Sequence, residues 1–498
     1  MRHFRAFALV GVLLSAAGLV AACTHSSKPP SPKPRVDKPN IVFVLTDDLS
    51  DNLVQYMPHV ISMEKAGTAF SNYTVTDSLC CPSRASIFSG NFPHDTHVFD
   101  NTKDHGGFQT FNARGEESST FATGLQSVGY RTAMMGKYLN GYNPNQKLGG
   151  TSPYIPPGWS EWDVAGDGYK EFNYSLNENH NIVKYGNAPS DYLTDVISQK
   201  GQNFIKASAK ANKPFLLELA TFSPHLPYVP APQDANSFPG LKAPRGPSYN
   251  HKPQNAPSWF NLVPASLKGG LQNNDDKQFR LRVQDVQSVD RMIANLESTL
   301  SAAGVAGNTI LVFSSDNGFH LGEHGLAAGK KTAFETDVHV PLVATGPGIA
   351  AGKTVAAPVE NIDLAPTFET LGGAKPPSSM DGRDFSGLLY GAAANDWRNA
   401  ALVEHYGGED NPNDPDYSPP AAGNPPTYNA LRTPTFTYVE YVNGEREYYD
   451  RSKDPHELDN IAGQLPASKM SALHAAIQKL VDCHGTSSCW AAGHIQVD

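Results

Sequence analysis

Asn40-Ile41-Val42-Phe43-Val44-Leu45-Thr46-Asp47-Asp48 is the stretch from which the architecture can be read. Ile41 to Leu45 is an unbroken apolar run, the mark of a strand covered on both faces rather than half-exposed. Phe215 to Thr221 and Thr309 to Phe313 read as further core strands. Between such runs the period changes. A helix is predicted near Met57 to Ala66, and another from Pro82 to Phe88 with its proline near the first turn. Phe279, Val283, Val286, Met292, Ile293, Leu296 and Leu300 recur at helical spacing as a core-facing stripe. Strands alternating with helices predict an α/β fold with a large mixed, mostly parallel central sheet flanked by helices.

After about Gly373 the pattern changes. Ala400 to Glu404, Asn429 to Arg432, Phe436 to Val442 and Glu445 to Tyr449 read as short strands, with Asn443-Gly444 as a hairpin turn. A helix from about Ser468 to Val481 would cover them, and Glu409 to Pro426, rich in Pro, Asn and Asp, is expected to be a loop. The expected organisation is a large domain over 38–373, then a connector and a small C-terminal antiparallel sheet with its helix over 374–498.

The N-terminus reads as an export signal over 1–23. Arg2, His3 and Arg5 precede an apolar run from Ala6 to Ala22, too short for a stable membrane span, which ends at Val20-Ala21-Ala22-Cys23. Small residues before a cysteine resemble a bacterial lipobox, so Cys23 is the expected lipidation site and the protein is expected at the outer face of a bacterial membrane. The alternative is an ordinary cleaved signal and a secreted product. Residues 24–37 form a Ser/Pro/Lys tether. With 49 acidic against 39 basic residues and no basic run, a nucleic-acid partner is not expected. Of the five cysteines, Cys483 and Cys489 lie close together and are expected to form a disulfide in an exported protein.

The chemistry is concentrated in a few short segments. Asp47 and Asp48 follow the first buried strand, and Asp316 and Asn317 follow the Thr309–Phe313 strand, where α/β sheets place their ligands. Any one such aspartate is commonly a turn former. Together they make an all-oxygen set suited to Ca²⁺ or Mg²⁺ rather than Zn²⁺. Cys80-Cys81-Pro82-Ser83-Arg84 is the other informative segment, with Arg84 one helical turn from Cys80. A cysteine doublet alone is also compatible with a vicinal disulfide or a metal site, but no further Cys or His cluster at zinc spacing supports the latter.

The resemblance to a known family rests on these segments and several others. They are Leu79-Cys80-Cys81-Pro82-Ser83-Arg84-Ala85-Ser86-Ile87, Gly136-Lys137-Tyr138-Leu139-Asn140, Pro156-Pro157-Gly158-Trp159, Asn173-Tyr174, Asp191-Tyr192-Leu193-Thr194-Asp195 and Asn361-Ile362-Asp363-Leu364-Ala365-Pro366-Thr367. Over nearly all of Lys38 to Ala462 the chain resembles the type I, formylglycine-dependent sulfatases of the alkaline-phosphatase superfamily. Within that family it is most similar to the N-acetylglucosamine-6-sulfatases and the extracellular heparan-sulfate 6-O-endosulfatases.

The resemblance implies that Cys80 is oxidised to Cα-formylglycine by a formylglycine-generating enzyme. One hydroxyl of the aldehyde hydrate then attacks the sulfur of a sulfate ester, and the other collapses to expel sulfate. It also implies that Ca²⁺, with Mg²⁺ as the alternative, is held by Asp47, Asp48, Asp316, Asn317 and the modified Cys80. Lys137 would contact the nucleophile and the sulfate, and His225 and Lys330 would bind the sulfate, one of them assisting departure of the alcohol. Arg84, which its helical spacing places on the same side as Cys80, would stabilise the nucleophile or the neighbouring carboxylates. Without the resemblance, Lys137 and Lys330 would be read as solvated surface charges and His225 as a loop residue. Asn140, His320 and His324 are candidate substrate contacts, and His94 and His97 have no assigned role. Two departures stand out. Many sulfatases carry Lys-Trp-His where this chain has Lys137-Tyr138-Leu139, which the glucosamine-6-sulfatases share. His339 stands where the family commonly has arginine.

The expected activity is hydrolysis of a sulfated carbohydrate such as a 6-O-sulfated glucosamine. The alternatives are a phosphoester or phosphonate monoester hydrolase on the same scaffold, and a sulfated-glycan-binding lipoprotein without turnover.

Overall fold

The apolar run that begins at Ile41 lies in the middle of the large sheet. In this computed structural model, residues 36–102, 104–264, 270–407 and 416–497 are described. The expected export signal, Cys23 and the tether up to residue 35 lie outside them, as does the 409–415 part of the expected loop. Among the described residues no helix is long and apolar enough to cross a membrane.

Four parallel strands form the centre: β1 (Asn40–Thr46), β2 (Arg131–Lys137), β3 (Phe215–Ala220) and β4 (Thr309–Ser315), in the spatial order β4-β1-β3-β2. Both faces of β1 are covered. Ile41, Phe43 and Leu45 point into one hydrophobic core, while Val42 and Val44 point into a second core on the opposite face. This is why the run lacks polar alternation. Beyond β4 the sheet continues through Leu342–Thr345, Thr68–Phe70 and Lys353–Val355, the first pairing antiparallel to β4. On the other side it continues through Glu161–Ala165, Ser175–Glu178 and Asn181–Lys184.

The helices follow the expected pattern with one shift. Helix α1 spans Cys80–Ser89 and not Pro82–Phe88, so Cys80 is itself in the first turn and Pro82 is the third residue. The helix predicted near Met57 is Pro58–Ala66. Helix α2 (Leu193–Lys210) was not marked in the sequence by any feature read there, whereas α3 (Gly270–Ala302) carries the stripe from Phe279 to Leu300 into the second core.

A separate four-stranded antiparallel sheet is built from Ala401–His405, Tyr428–Arg432, Phe436–Tyr441 and Arg446–Asp450 in chain order, with Asn443-Gly444 at the last turn. The helix Ala467–Val481 packs Leu473, Ile477 and Leu480 against Leu402, Leu431 and Tyr438 of that sheet. Cys483 and Cys489 are joined by a disulfide just beyond it.

Candidate active site

The four parallel strands end on one edge, and each is followed there by a charged residue. β1 runs into Asp47-Asp48, β4 into Asp316-Asn317, β2 ends on Lys137, and β3 leads to His225. Asp48 adopts a left-handed backbone (φ 62°), a conformation aspartate tolerates better than most residues. Gly136 is required where it stands. Its φ is 102°, and a Cβ there would lie 1.9 Å from the carbonyl oxygen of Ala220. A glycine therefore lets β2 approach β3 closely and turn Lys137 into the site. His225 is flanked by cis peptide bonds at Ser223-Pro224 and Leu226-Pro227.

Cys80 sits at the start of α1, fully buried, in the middle of this group. Its Sγ lies 3.2 Å from Asp47 Oδ1, 3.8 Å from Asp48 Oδ1 and 2.8 Å from Lys330 Nζ. Cys80 and Cys81 are both free thiols, so the vicinal disulfide does not form. The Cys81 amide instead donates to Asn101 Oδ1 at 2.9 Å.

One turn on, Arg84 engages the neighbouring carboxylates. Its Nε donates to Asp316 Oδ2 at 2.7 Å, its Nη1 to the Lys137 carbonyl at 3.1 Å, and Nη2 lies 3.9 Å from Asp47. Lys137 Nζ donates to Asp47 Oδ2 at 2.6 Å and lies 5.0 Å from the centre of the Tyr169 ring. Lys330 Nζ donates to Asp48 Oδ1 at 2.6 Å.

Electrostatics follow from burial and pairing. Burial is the largest single influence on Lys137 and pulls it down, yet Asp47 and its neighbours together hold it well above the usual lysine value. Lys330 behaves the same way, with Asp416 and Asp48 outweighing burial. His225 is lowered by burial but raised further by Asp48, Asp416 and Asp47, to about 9. Its Nδ1 meets the Leu226 carbonyl at 2.8 Å and its Nε2 meets Asp416 Oδ1 at 2.6 Å. Both partners accept, so both ring nitrogens donate and the ring is an imidazolium.

The acidic set fits a hard divalent cation. Asp47, Asp48, Cys80 and His225 present ligand atoms within 4.8 Å of one another. Asn317 Oδ1 is buried without a hydrogen-bond partner among the described residues, although its Nδ2 reaches Asp48 at 2.7 Å. An orphaned amide oxygen beside buried carboxylates is what an oxygen-seeking cation would satisfy.

The structure thus brings together Asp47, Asp48, Cys80, Arg84, Lys137, His225, Asp316, Asn317 and Lys330. Asn140 borders them, donating to Tyr169 Oη at 3.3 Å. His320 and His324 are engaged elsewhere. His320 Nδ1 pairs with Asp337 at 2.9 Å and Nε2 with the Ala422 carbonyl at 2.8 Å. His324 stacks on Phe334 at 3.7 Å between ring centres, and burial pushes it down to about 3. His94 spends both nitrogens on Glu404 and the Cys483 carbonyl. His339 pairs with Glu335, which also takes Arg432 from the C-terminal sheet.

Sequence reasoning missed Asp416. It comes from the stretch expected to be only a loop, yet it is buried in the site. Nothing in its neighbourhood of Pro, Asn and Asp distinguishes it. Asn101, its partner, was also missed.

Carboxylates and cations gathered around one buried cysteine at the carboxyl edge of a parallel sheet define an α/β enzyme built to hold an anion. Comparison with known proteins identifies which. Residues 39–374 match the Sulfatase family, and residues 322–482 match the family described as N-sulphoglucosamine sulphohydrolase, C-terminal. The goat N-acetylglucosamine-6-sulfatase is 34% identical over 90% of this chain and 84% of that protein. The Drosophila melanogaster extracellular sulfatase SULF-1 homolog is 36% identical over 75% of this chain and 33% of its own length. A solved structure of a protein in complex with its substrate D-glucosamine-2-N,6-O-disulfate superposes with a TM-score of 0.72 at 25% identity, covering 89% of this chain and 97% of that one. The chain belongs to the sulfatase family and is an enzyme that hydrolyses sulfate esters.

Proposed function

We propose that the ester is a 6-O-sulfate on a glucosamine unit of a glycan, and that Cys80 acts after conversion to formylglycine by a formylglycine-generating enzyme. Formylglycine supplies a hydrated aldehyde with one hydroxyl for attack and one for release of sulfate. Asp47, Asp48, Asp316 and Asn317 would hold the divalent cation, Ca²⁺ or Mg²⁺, which supplies Lewis-acid stabilisation of negative charge.

The chain's own groups do the rest. Arg84 fixes Asp316 and the Lys137 carbonyl, and so holds two strand ends in register. Lys137, Lys330 and His225 surround the Cys80 position with positive charge and would bind the ester's equatorial oxygens in a dry site. His225 holds its Nε2 proton against Asp416 Oδ1 at 2.6 Å, and that proton is the one offered to the departing alcohol. Leu139 leaves no histidine beside Lys137. Asn140, whose Oδ1 is buried without a partner among the described residues, is the polar group standing there instead.

The observation carrying this reading is the convergence of Lys137, Lys330, Arg84 and His225 on one buried cysteine. Kinship with N-acetylglucosamine-6-sulfatases supports the sugar, and kinship with an extracellular sulfatase supports export, with lipidation at Cys23 as the means of anchoring. The test is mass spectrometry of the Cys80 peptide from the native host, paired with sulfate release from glucosamine 6-sulfate. Aldehyde at Cys80 together with turnover is expected. An unaltered thiol throughout an active preparation would overturn it.

A further inference from the structure

Asp416 is a fourth carboxylate in the site beside Asp47, Asp48 and Asp316, and none of the chemistry above uses it. Its Oδ1 lies 2.6 Å from Lys330 Nζ, 2.6 Å from His225 Nε2 and 3.7 Å from Cys80 Sγ. Its Oδ2 accepts from Asn101 Nδ2 at 2.5 Å and from Asn140 Nδ2 at 3.2 Å. The side chain is 2% exposed. Among the described residues four donors on four separate segments hold it, so its charge is fixed in position as well as buried.

The consequence is a matter of charge count. Among the side chains, Asp47, Asp48, Asp316 and Asp416 face Arg84, Lys137, Lys330 and His225, four negative groups against four positive ones, and the divalent cation proposed above would add two positive charges. Removing Asp416 would leave the site one charge more positive, at the place where the ester binds. Lys330 has three N–H donors, and three partners, Asp48, Asp416 and Cys80, surround it. An ester oxygen that takes a donor from Lys330 or His225 therefore shares it with Asp416 or takes it from Asp416. Two acceptors on one ammonium stand within about 5 Å of each other, where an extra charge is strongly felt in a water-poor site. A sulfate monoester brings one negative charge, and a phosphate monoester of the same shape brings nearly two at neutral pH.

We infer that Asp416 is a specificity-determining residue whose fixed carboxylate, beside the cations that bind the ester, rejects doubly charged esters in favour of singly charged ones. The inference rests on the reading of Lys330 and His225 as ester-binding groups. It assigns to this chain's own side chain the choice between sulfate and phosphate monoesters.

The test uses two non-hydrolysable probes, benzenesulfonate with one charge and phenylphosphonate with two, titrated calorimetrically into the full protein at alkaline pH. D416N should shift the affinity ratio toward phenylphosphonate by about tenfold or more, and D416E should restore the wild-type ratio. In turnover, D416N should raise kcat/KM for an aryl phosphate relative to an aryl sulfate. A singly charged aryl phosphonate monoester should track the sulfate, which separates charge from atom type. D416S, checked for cooperative unfolding, stands in if D416N fails to fold. Equal changes for both probes would overturn the assignment while leaving the sulfatase reading intact. Unchanged benzenesulfonate affinity in K330M would instead remove the ester-binding reading on which it rests.

Discussion

Glu218 is the least comfortable residue of the central sheet, and its replacement gives a sharp test of how the scaffold behind the site is balanced. It lies in β3, in register with Phe43 of β1 and Met134 of β2. It is wholly buried, and neither carboxyl oxygen has a hydrogen-bond partner among the described residues. Burial raises it from 4.5 to about 8, with only Arg84 pulling the other way. The folded protein therefore keeps the proton that the unfolded chain releases. Below about pH 4.5 both states are neutral and the group costs nothing through ionisation. As pH rises toward 8 the unfolded chain gains by ionising and the folded one does not, so stability falls. At 1.36 kcal/mol per unit, the full span corresponds to a loss on the order of 5 kcal/mol. E218Q cannot ionise. Its stability relative to wild type should be near zero or slightly negative at pH 5 and should rise steadily to pH 8. Denaturant unfolding at four pH values reads this directly. A difference that stays constant with pH would refute the assignment of a protonated Glu218.

Other outcomes follow from the site. K137M and K330M should each lower kcat by roughly a hundredfold to a thousandfold, the usual cost of losing one preorganised group aimed at developing charge; initial rates on an aryl sulfate would check this. G136A should misplace Lys137, because its Cβ would collide with the Ala220 carbonyl, and the expected reading is lost activity together with a lower melting temperature. Removing the disulfide in C483A/C489A should cost about 2 kcal/mol for so short a loop while leaving KM unchanged, measured by denaturant unfolding and steady-state kinetics. Chelation should abolish turnover, and Ca²⁺ or Mg²⁺ should restore it, as expected for an all-oxygen set.

Legibility in the sequence followed burial on both faces. β1, β3 and β4 announce themselves because nearly every side chain is apolar, even with Glu218 inside β3. β2 reads Arg-Thr-Ala-Met-Met-Gly-Lys, with charges at both ends and a glycine inside, so its strand character is hidden although it occupies the centre of the sheet. Asp47, Asp48, Asp316 and Asn317 were readable because they follow strands whose ends are fixed by the core, whereas Lys137 and His225 at the other two strand ends were read only through the family resemblance. Asp416 is fixed instead by long-range bonds to Lys330, His225, Asn101 and Asn140, contacts that leave no local trace. The two-residue advance of α1 is local instead: Leu79 is extended, and the Ser83 amide bonds its carbonyl to start the helix before the proline.

Cys80 is inaccessible in the folded chain, its exposure being 0%. If Cys80 is converted as proposed, the modifying enzyme would need it in an open stretch of polypeptide, and conversion would have to come before the central sheet closes over it. On that proposal the window would shut with folding, and a molecule that folded unconverted could not be rescued later by the same catalyst. Each copy would then carry a permanent record of its biosynthesis, and the active fraction of a preparation would be set by a race between modification and collapse.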